Sequence, residues 1–242
     1  MWYAQPIKPI FFIHLNGLEA YFMDTISQLY DLNHTLAGTY LQGFTYPWEA
    51  LPGIKHMISG LIATLDPSQY TQLFPDVWVH VSAQIAPTAF LAGPTIIGPN
   101  TEVRHCAFVR GPALVGEGCV VGNSVELKNV ILFDGVQVPH YNYVGDSILG
   151  YKAHMGAGSL TSNVKSDKSP VVIHGDTDIP TGFKKVGAML GDYAEIGCNS
   201  VLNPGTVIGR HSNVYPLSCV RGVVPAHSIY KTGGIIRSKE ER

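Results

Sequence analysis

From Val79 onward, one aliphatic residue recurs every sixth position. Val79, Ile85, Leu91, Ile97, Val103, Val109, Val115, Val121 and Leu127 keep the beat without a break. Leu190, Ile196, Leu202, Ile208, Val214, Val220 and Ala226 take it up again. Glycine often follows the aliphatic, as in Ile97-Gly98, Val121-Gly122 and Ile196-Gly197. A helix returns to one face every three or four residues and a strand every second one. A period of six sustained this long marks a hexapeptide β-helix. Each six supplies a short strand and a corner, with the aliphatic pointing inward and small residues easing the turn. Three sixes make one triangular coil of about 18 residues, and each coil buries its neighbour. The spacing predicts an all-β solenoid, a parallel β-helix, from about residue 76 to 231, with a small α-helical region before it and a tail over 232–242.

The beat is interrupted twice. Leu127 to Leu132 is one residue short, after which Val138 and Val144 resume it. After Gly156-Ala-Gly158 comes a polar run, Ser162 to Ser169, and no repeat returns before about Lys185. Within it, Val171 to Ile179 predicts a hairpin turning at Gly175-Asp176. A loop expelled from a solenoid, here at about 163–186, usually carries function. Ahead of residue 75 the apolar positions change to helical spacing. Leu18, Phe22, Ile26, Leu29, Leu32, Leu36 and Tyr40 trace one stripe. Ile54, Met57, Ile58, Leu61, Ile62 and Leu65 trace a second, after the breaker Leu51-Pro-Gly53. These stripes read as packing faces, and the helices are expected to cap the solenoid's open end.

Composition narrows the functional classes. Apolar residues make up 45% and charged ones 14%, the balance of a well-buried globular chain. The net charge is -2, and outside the terminal stretch Arg237 to Arg242 no charge run exists, so no nucleic-acid partner is expected. No stretch reaches the ~18 apolar residues of a membrane span, and the first residues lack the basic start of a signal peptide. The four cysteines form no CxxC pair, which reads as reduced thiols in a cytoplasmic protein. His105, His140, His154 and His174 are scattered without paired-ligand spacing, so no metal is expected.

The coil register brings distant residues together. Arg110 and Lys128 are one coil apart and follow the inward Val109 and Leu127. Two cations in that relation repel by roughly 1 kcal/mol in water. A bound anion such as phosphate would turn this into attraction; two solvated side chains splaying apart is the simpler alternative. With the one-residue slip counted, His105, Asn123 and His140 form a column. A histidine there serves either as a hydrogen-bonding cap or as a general base, its ordinary pKa of about 6.5 suiting proton abstraction near neutrality.

At these residues the sequence resembles the left-handed β-helix acetyltransferase domain of the bifunctional bacterial enzyme that makes UDP-N-acetylglucosamine. The resemblance covers roughly 79 to 231. It is carried by Val121 to Lys128, His140 to Asp146 and Gly156 to Asn163, above all by the ordered set Arg110, Lys128, His140, Tyr143 and Asn163. It implies left-handed winding, acetyl-CoA as co-substrate, a homotrimer, and a phosphorylated or nucleotide-linked amino sugar as partner. By the same resemblance His140 takes the proton from the attacking amine, and Arg110 and Lys128 hold the sugar phosphate. Tyr143 contacts the sugar, Asn163 orders the site, and Cys198 and Lys231 lie where such domains hold CoA. His154 stands where the family has a sugar-binding asparagine. The loop after Asn163 is longer than the family's, and Val164 to Lys168 replaces a Tyr-Asp-Gly type continuation. Residues 1–75 contain no Gly-x-Gly-Thr-Arg start, so nucleotidyl transfer is not expected of this chain. The resulting expectation is a CoA-dependent N-acyltransferase. Its rivals are a non-catalytic sugar-phosphate scaffold and a hexapeptide metalloenzyme of the carbonic anhydrase type.

Overall fold

The computed structural model describes residues 25–239. Its architecture is the expected all-β solenoid of about nine turns, a parallel β-helix of the left-handed type, with a few short helices. Each coil contributes three short strands to three flanks. The first flank holds Val77–His80, Thr95–Ile97, Ala113–Val115, Ala188–Leu190, Thr206–Ile208 and Val223–Val224. The second holds Gln84–Ile85, Glu102–Val103, Val120–Asn123, Gln137–His140, His154–Met155, Glu195–Ile196, Asn213–Val214 and Ser228–Lys231. The third holds Phe90–Leu91, Phe108–Val109, Leu160–Thr161, Val201–Leu202 and Cys219–Val220. Two longer strands, Glu126–Leu132 and Tyr143–Leu149, run from the third flank round a corner into the first. They bend at Asn129 and Asp146, whose φ values are 57° and 48°.

The register follows the beat. Leu91, Val109 and Leu127 align, and Leu127 aligns with Val144 across a 17-residue coil, which is the slip seen in the sequence. Leu127, Val144, Leu190 and Ile208 are fully buried. Coils stack so tightly that a Cβ on Gly122 would collide with the Pro139 carbonyl. The beat fails at its end. Ile208 pairs with Val224, so the last coil is two residues short; Val224 is buried and Ala226 is exposed.

The N-terminal region differs from its expectation in two ways. The stripe from Ile26 to Tyr40 is not one helix among the described residues but Ile26–Leu29, Leu32–His34 and Gly38–Leu41, and Leu36 is exposed; Leu18 and Phe22 lie outside the described residues. Short polar side chains compete with the helix here: Asp31 accepts the Asn33 amide at 3.1 Å. The chain also docks onto the coils, with the Asp31 amide donating to Asp192 at 2.7 Å and the Asp192 amide donating to the Leu29 carbonyl at 3.0 Å. The second stripe forms the expected helix, Ile54–Ile62.

Nor do these segments cap an end. They lie along the first flank, where Ile54–Ile62 packs on Thr95–Ile97, Ala113–Val115 and Glu126–Leu132, and Pro47–Gly53 packs on Tyr143–Leu149. The reason is on the flank itself. Ile96, Leu114, Ile131, Ile148, Met189 and Val207 precede the inward residue, point outward by strand alternation, and are at most 1% exposed. Each would cost roughly 1.5–3 kcal/mol if left in water. Ends are closed instead by antiparallel strands, Tyr70–Phe74 on Val77–His80 and Ile235–Ser238 on Ser228–Lys231, so both sheets extend beyond the 76 and 231 boundaries. The expelled loop forms its hairpin, Val172–His174 with Asp178–Pro180, which packs beside Thr206–Ile208.

Candidate functional site

The corner between the second and third flanks carries the expected column. His140 aligns with Asn123, whose amide nitrogen Nδ2 donates to the His105 carbonyl at 3.1 Å. His105 itself is engaged, with Nδ1 2.6 Å from the Thr88 hydroxyl. The His140 ring is exposed and its imidazole has no hydrogen-bond partner among the described residues. Its backbone, by contrast, is pinned. The His140 amide donates to Asn142 Oδ1 at 3.1 Å, and buried Asn142 donates on to the carbonyls of Gly156 at 2.9 Å and Ser159 at 3.0 Å. Asn142 is thus a staple that sets His140 at the edge of the coil; sequence reasoning passed over it.

Below His140 the same column continues through Ala157, Cys198 and Pro216, since Gln137 aligns with His154, Met155 with Ile196, and Ile196 with Val214. Cys198 is exposed. Lys231 stands at the foot of this edge, its ammonium 5.9 Å from the Tyr215 ring centroid. Cys119 is of another kind: burial pushes its thiol up to about 12, and it donates to the Phe133 carbonyl at 3.1 Å.

Tyr143, Lys128 and Asn163 meet on the third flank and its far corner around a residue not singled out in the sequence, Asp146. Its carboxylate, almost fully buried, accepts from Lys128 Nζ at 2.9 Å on each oxygen, from Asn129 at 2.9 Å and from Asn163 at 2.5 Å. Asn163 also donates to the Tyr143 hydroxyl at 3.2 Å. Burial, then the nearby charges of Asp146 and Glu126, hold the Tyr143 phenol above its usual range, so it stays protonated. The signal for Asp146 was available: the 17-residue register that stacks Asn123 on His140 also stacks Asn129 on Asp146.

The expected mutual repulsion of Arg110 and Lys128 is not what the structure shows. The two are in register, yet each has its own acid. Arg110 donates to Glu126 at 2.9 Å and lies 6.0 Å from the Phe108 ring centroid, while Lys128 pairs with Asp146. Carboxylates one coil away discharge what an anion was invoked to discharge. His154 is not brought to the cluster. It stands on the second flank, its Nδ1 2.8 Å from Glu195, beside a shallow cleft of about 420 Å³ shared with Gln137 and Lys152. Among the described residues, no three His, Cys, Asp or Glu side chains converge to hold a metal ion. None of the described helices is long and apolar enough to cross a membrane.

Residues 91–181 match the family described as the GMPPB C-terminal domain. The bifunctional protein GlmU of Methanococcus maripaludis is 28% identical over 225 residues, covering 90% of this chain and 54% of that protein. The similarity to that protein thus runs over most of this chain. A bifunctional sugar-1-phosphate nucleotidylyltransferase/acetyltransferase from Sulfurisphaera tokodaii is 33% identical over 112 residues, 46% of this chain and 28% of that one. The chain thus spans about half the length, or less, of the curated relatives it matches. Among solved structures, a hexapeptide transferase family protein from Anaplasma phagocytophilum aligns with 69% of this chain and 81% of its own, at 18% identity and a TM-score of 0.40.

Proposed function

We propose that the chain is a CoA-dependent N-acyltransferase acting on an amino sugar that is phosphorylated or nucleotide-linked. One observation carries the reading: an exposed imidazole at His140, free of partners among the described residues and fixed in position by Asn142, stands between two built surfaces. On one side lies the polar face of Tyr143, Asn163 and Lys128, which suits a hydroxylated ring. On the other, the edge through Ala157 and Cys198 down to Lys231 spans four coil steps, about 19 Å, and suits an extended thioester arm with anionic groups at its far end. A sugar amine is largely protonated near neutrality and must lose a proton to attack. The neutral amine is the form that attacks; His140 takes a proton from its nitrogen as this adds to the thioester carbonyl, the C–S bond then breaks, and the departing thiolate receives that proton from the imidazolium, giving free CoA and the amide. The Tyr143 phenol, held protonated, offers a hydrogen bond to the sugar. Lys128, with its charge matched by Asp146, positions Asn163 and Tyr143 through that carboxylate as much as it meets the acceptor. The reading includes a homotrimer, which sedimentation equilibrium would verify.

The test is steady-state kinetics of His140→Ala with acetyl-CoA and glucosamine 1-phosphate. A general base is worth about 10²–10⁴ in rate, so kcat is expected to fall by that factor with the fold intact by circular dichroism. A fall of less than about tenfold would remove His140 from the role. The position of His154, on another flank from Asn163, favours a second reading: a scaffold that binds sugar phosphates without transferring an acyl group. Titration calorimetry separates the two, because the scaffold would show no affinity for acetyl-CoA.

A further inference from the structure

A cavity of about 390 Å³ lies at the corner between the third and first flanks, within the size range of small-molecule sites. Three parts of the chain, distant in sequence, form it. Leu51 and Pro52 come from the segment on the first flank, Asn129 and Asp146 from the bent strands, and Lys184 and Lys185 from the end of the expelled loop. The parts are joined to one another. Asn129 Nδ2 donates to the Leu51 carbonyl at 3.4 Å and to Asp146 at 2.9 Å. Val164 and Lys185 form an antiparallel bridge at the neck of the loop, and the Val186 amide donates to the Asn163 carbonyl at 3.0 Å. The neck is therefore fixed against Asn163, whose side chain touches the Asp146 carboxylate.

The charge around this cavity is unbalanced. Lys184 and Lys185 are exposed, and neither side chain has an ion pair among the described residues. Among the described residues the one carboxylate lining it, Asp146, already accepts from Lys128, Asn129 and Asn163. Lys184 and Lys185 thus add two ammonium groups beside a carboxylate whose charge Lys128 already matches. Arg110, by contrast, is half exposed and matched by Glu126. Excess cations held on a fixed neck beside amide donors are the chemistry that recognises a phosphoryl group. We propose that this cavity is the phosphoryl subsite, and that Lys184 and Lys185 are specificity-determining residues for a phosphate or pyrophosphate carried by the acceptor. The assignment rests on the reading of the third flank as the acceptor face. It moves the anion from Arg110 and Lys128 to the loop and gives the loop a purpose.

The experiment compares the full-length chain with the double variant Lys184→Gln/Lys185→Gln, the charge-keeping Lys184→Arg/Lys185→Arg, and Arg110→Gln. Pyrophosphate binding is read by titration calorimetry, and acetyl transfer is read with glucosamine 1-phosphate and with glucosamine. In the Gln double variant, Kd for pyrophosphate and KM for glucosamine 1-phosphate are expected to rise about tenfold or more, with kcat and the KM for acetyl-CoA within about twofold. The arginine pair should keep binding, and Arg110→Gln should move it by less than about threefold. Wild-type binding undiminished in the Gln variant, no pyrophosphate binding by wild type, or a loss confined to acetyl-CoA would each overturn the assignment; the last would give the phosphates to CoA. Pyrophosphate binding that depends on the two lysines, in a wild type that acylates no amino sugar, would instead sink the acyltransferase reading and leave the subsite standing.

Discussion

The first and third flanks are built on the same coil and even share two strands, yet they do opposite things. Within Glu126–Leu132, the half on the third flank alternates between Glu126 and Lys128 outward and Leu127 inward. Past the bend at Asn129 the outward residue becomes Ile131, and Ile131 and Leu132 are both fully buried. The first half carries the polar cluster around Asp146, and the second faces a layer of the protein's own N-terminal chain. The backbone repeat is indifferent to this choice. What changes is the single residue before each inward aliphatic, and with it whether covering the flank is favourable.

The contrast can be broken from either side. Ile131→Ala, on the covered flank, removes buried methyl and methylene groups from a site that cannot fully collapse. It should cost about 2–5 kcal/mol, seen as a lowered urea midpoint, while the folded fraction keeps the proposed acetyl transfer at the wild-type rate. Asp146→Ala, at the bend between the flanks, should do both kinds of damage. It leaves the Lys128 ammonium and two amides without their shared acceptor. The loss should be about 1–3 kcal/mol, together with a raised KM for the acceptor. Equal activity in this variant would deny that Asp146 orders Tyr143 and Asn163.

Acid should act on neither flank but on the corner between the first and second, where Tyr193, His211 and His227 stack at centroid spacings of 4.6 and 5.0 Å. Burial, then the charges of His227, Arg210 and Lys239, lower the His211 pKa; Asp192 opposes them. A lowered folded pKa means that its contribution is complete above the ordinary value of about 6.5 and is lost as pH falls through the folded value. Melting temperature should therefore drop as pH falls from about 6.5 through the folded value, and His211→Gln should blunt the drop. The smallest effect is expected at Glu126→Gln. It unpairs a half-exposed Arg110 and should change stability by less than about 1 kcal/mol, as read by denaturant titration.

Most of the solenoid was legible in the sequence, because one inward aliphatic per six residues is a local signal that survives without knowledge of the rest. The shortened coil after Leu127 could be counted, and with it the column of His105, Asn123 and His140. The same counting, carried one strand further, stacks Asn129 on Asp146, but nothing local marks Asp146 as a hub. The beat also misled where the last coil lost two residues, since Ala226 fits the period and Val224 holds the core. The doublets Ile96-Ile97, Leu114-Val115, Ile131-Leu132 and Ile148-Leu149 announced a flank that needs a cover, without saying what would cover it.

Period and register belong to the sequence by itself, for a strand's alternation and a coil's length are fixed by backbone geometry over a few residues. Which carboxylate meets which base was decided only by the tertiary structure: Glu126 with Arg110, Asp146 with Lys128, Glu195 with His154. So was the place where the N-terminal segment, the bend and the loop close a cavity around Lys184 and Lys185. Charge pairing depends on distances of a few ångströms between side chains far apart along the chain, and no local pattern carries that information.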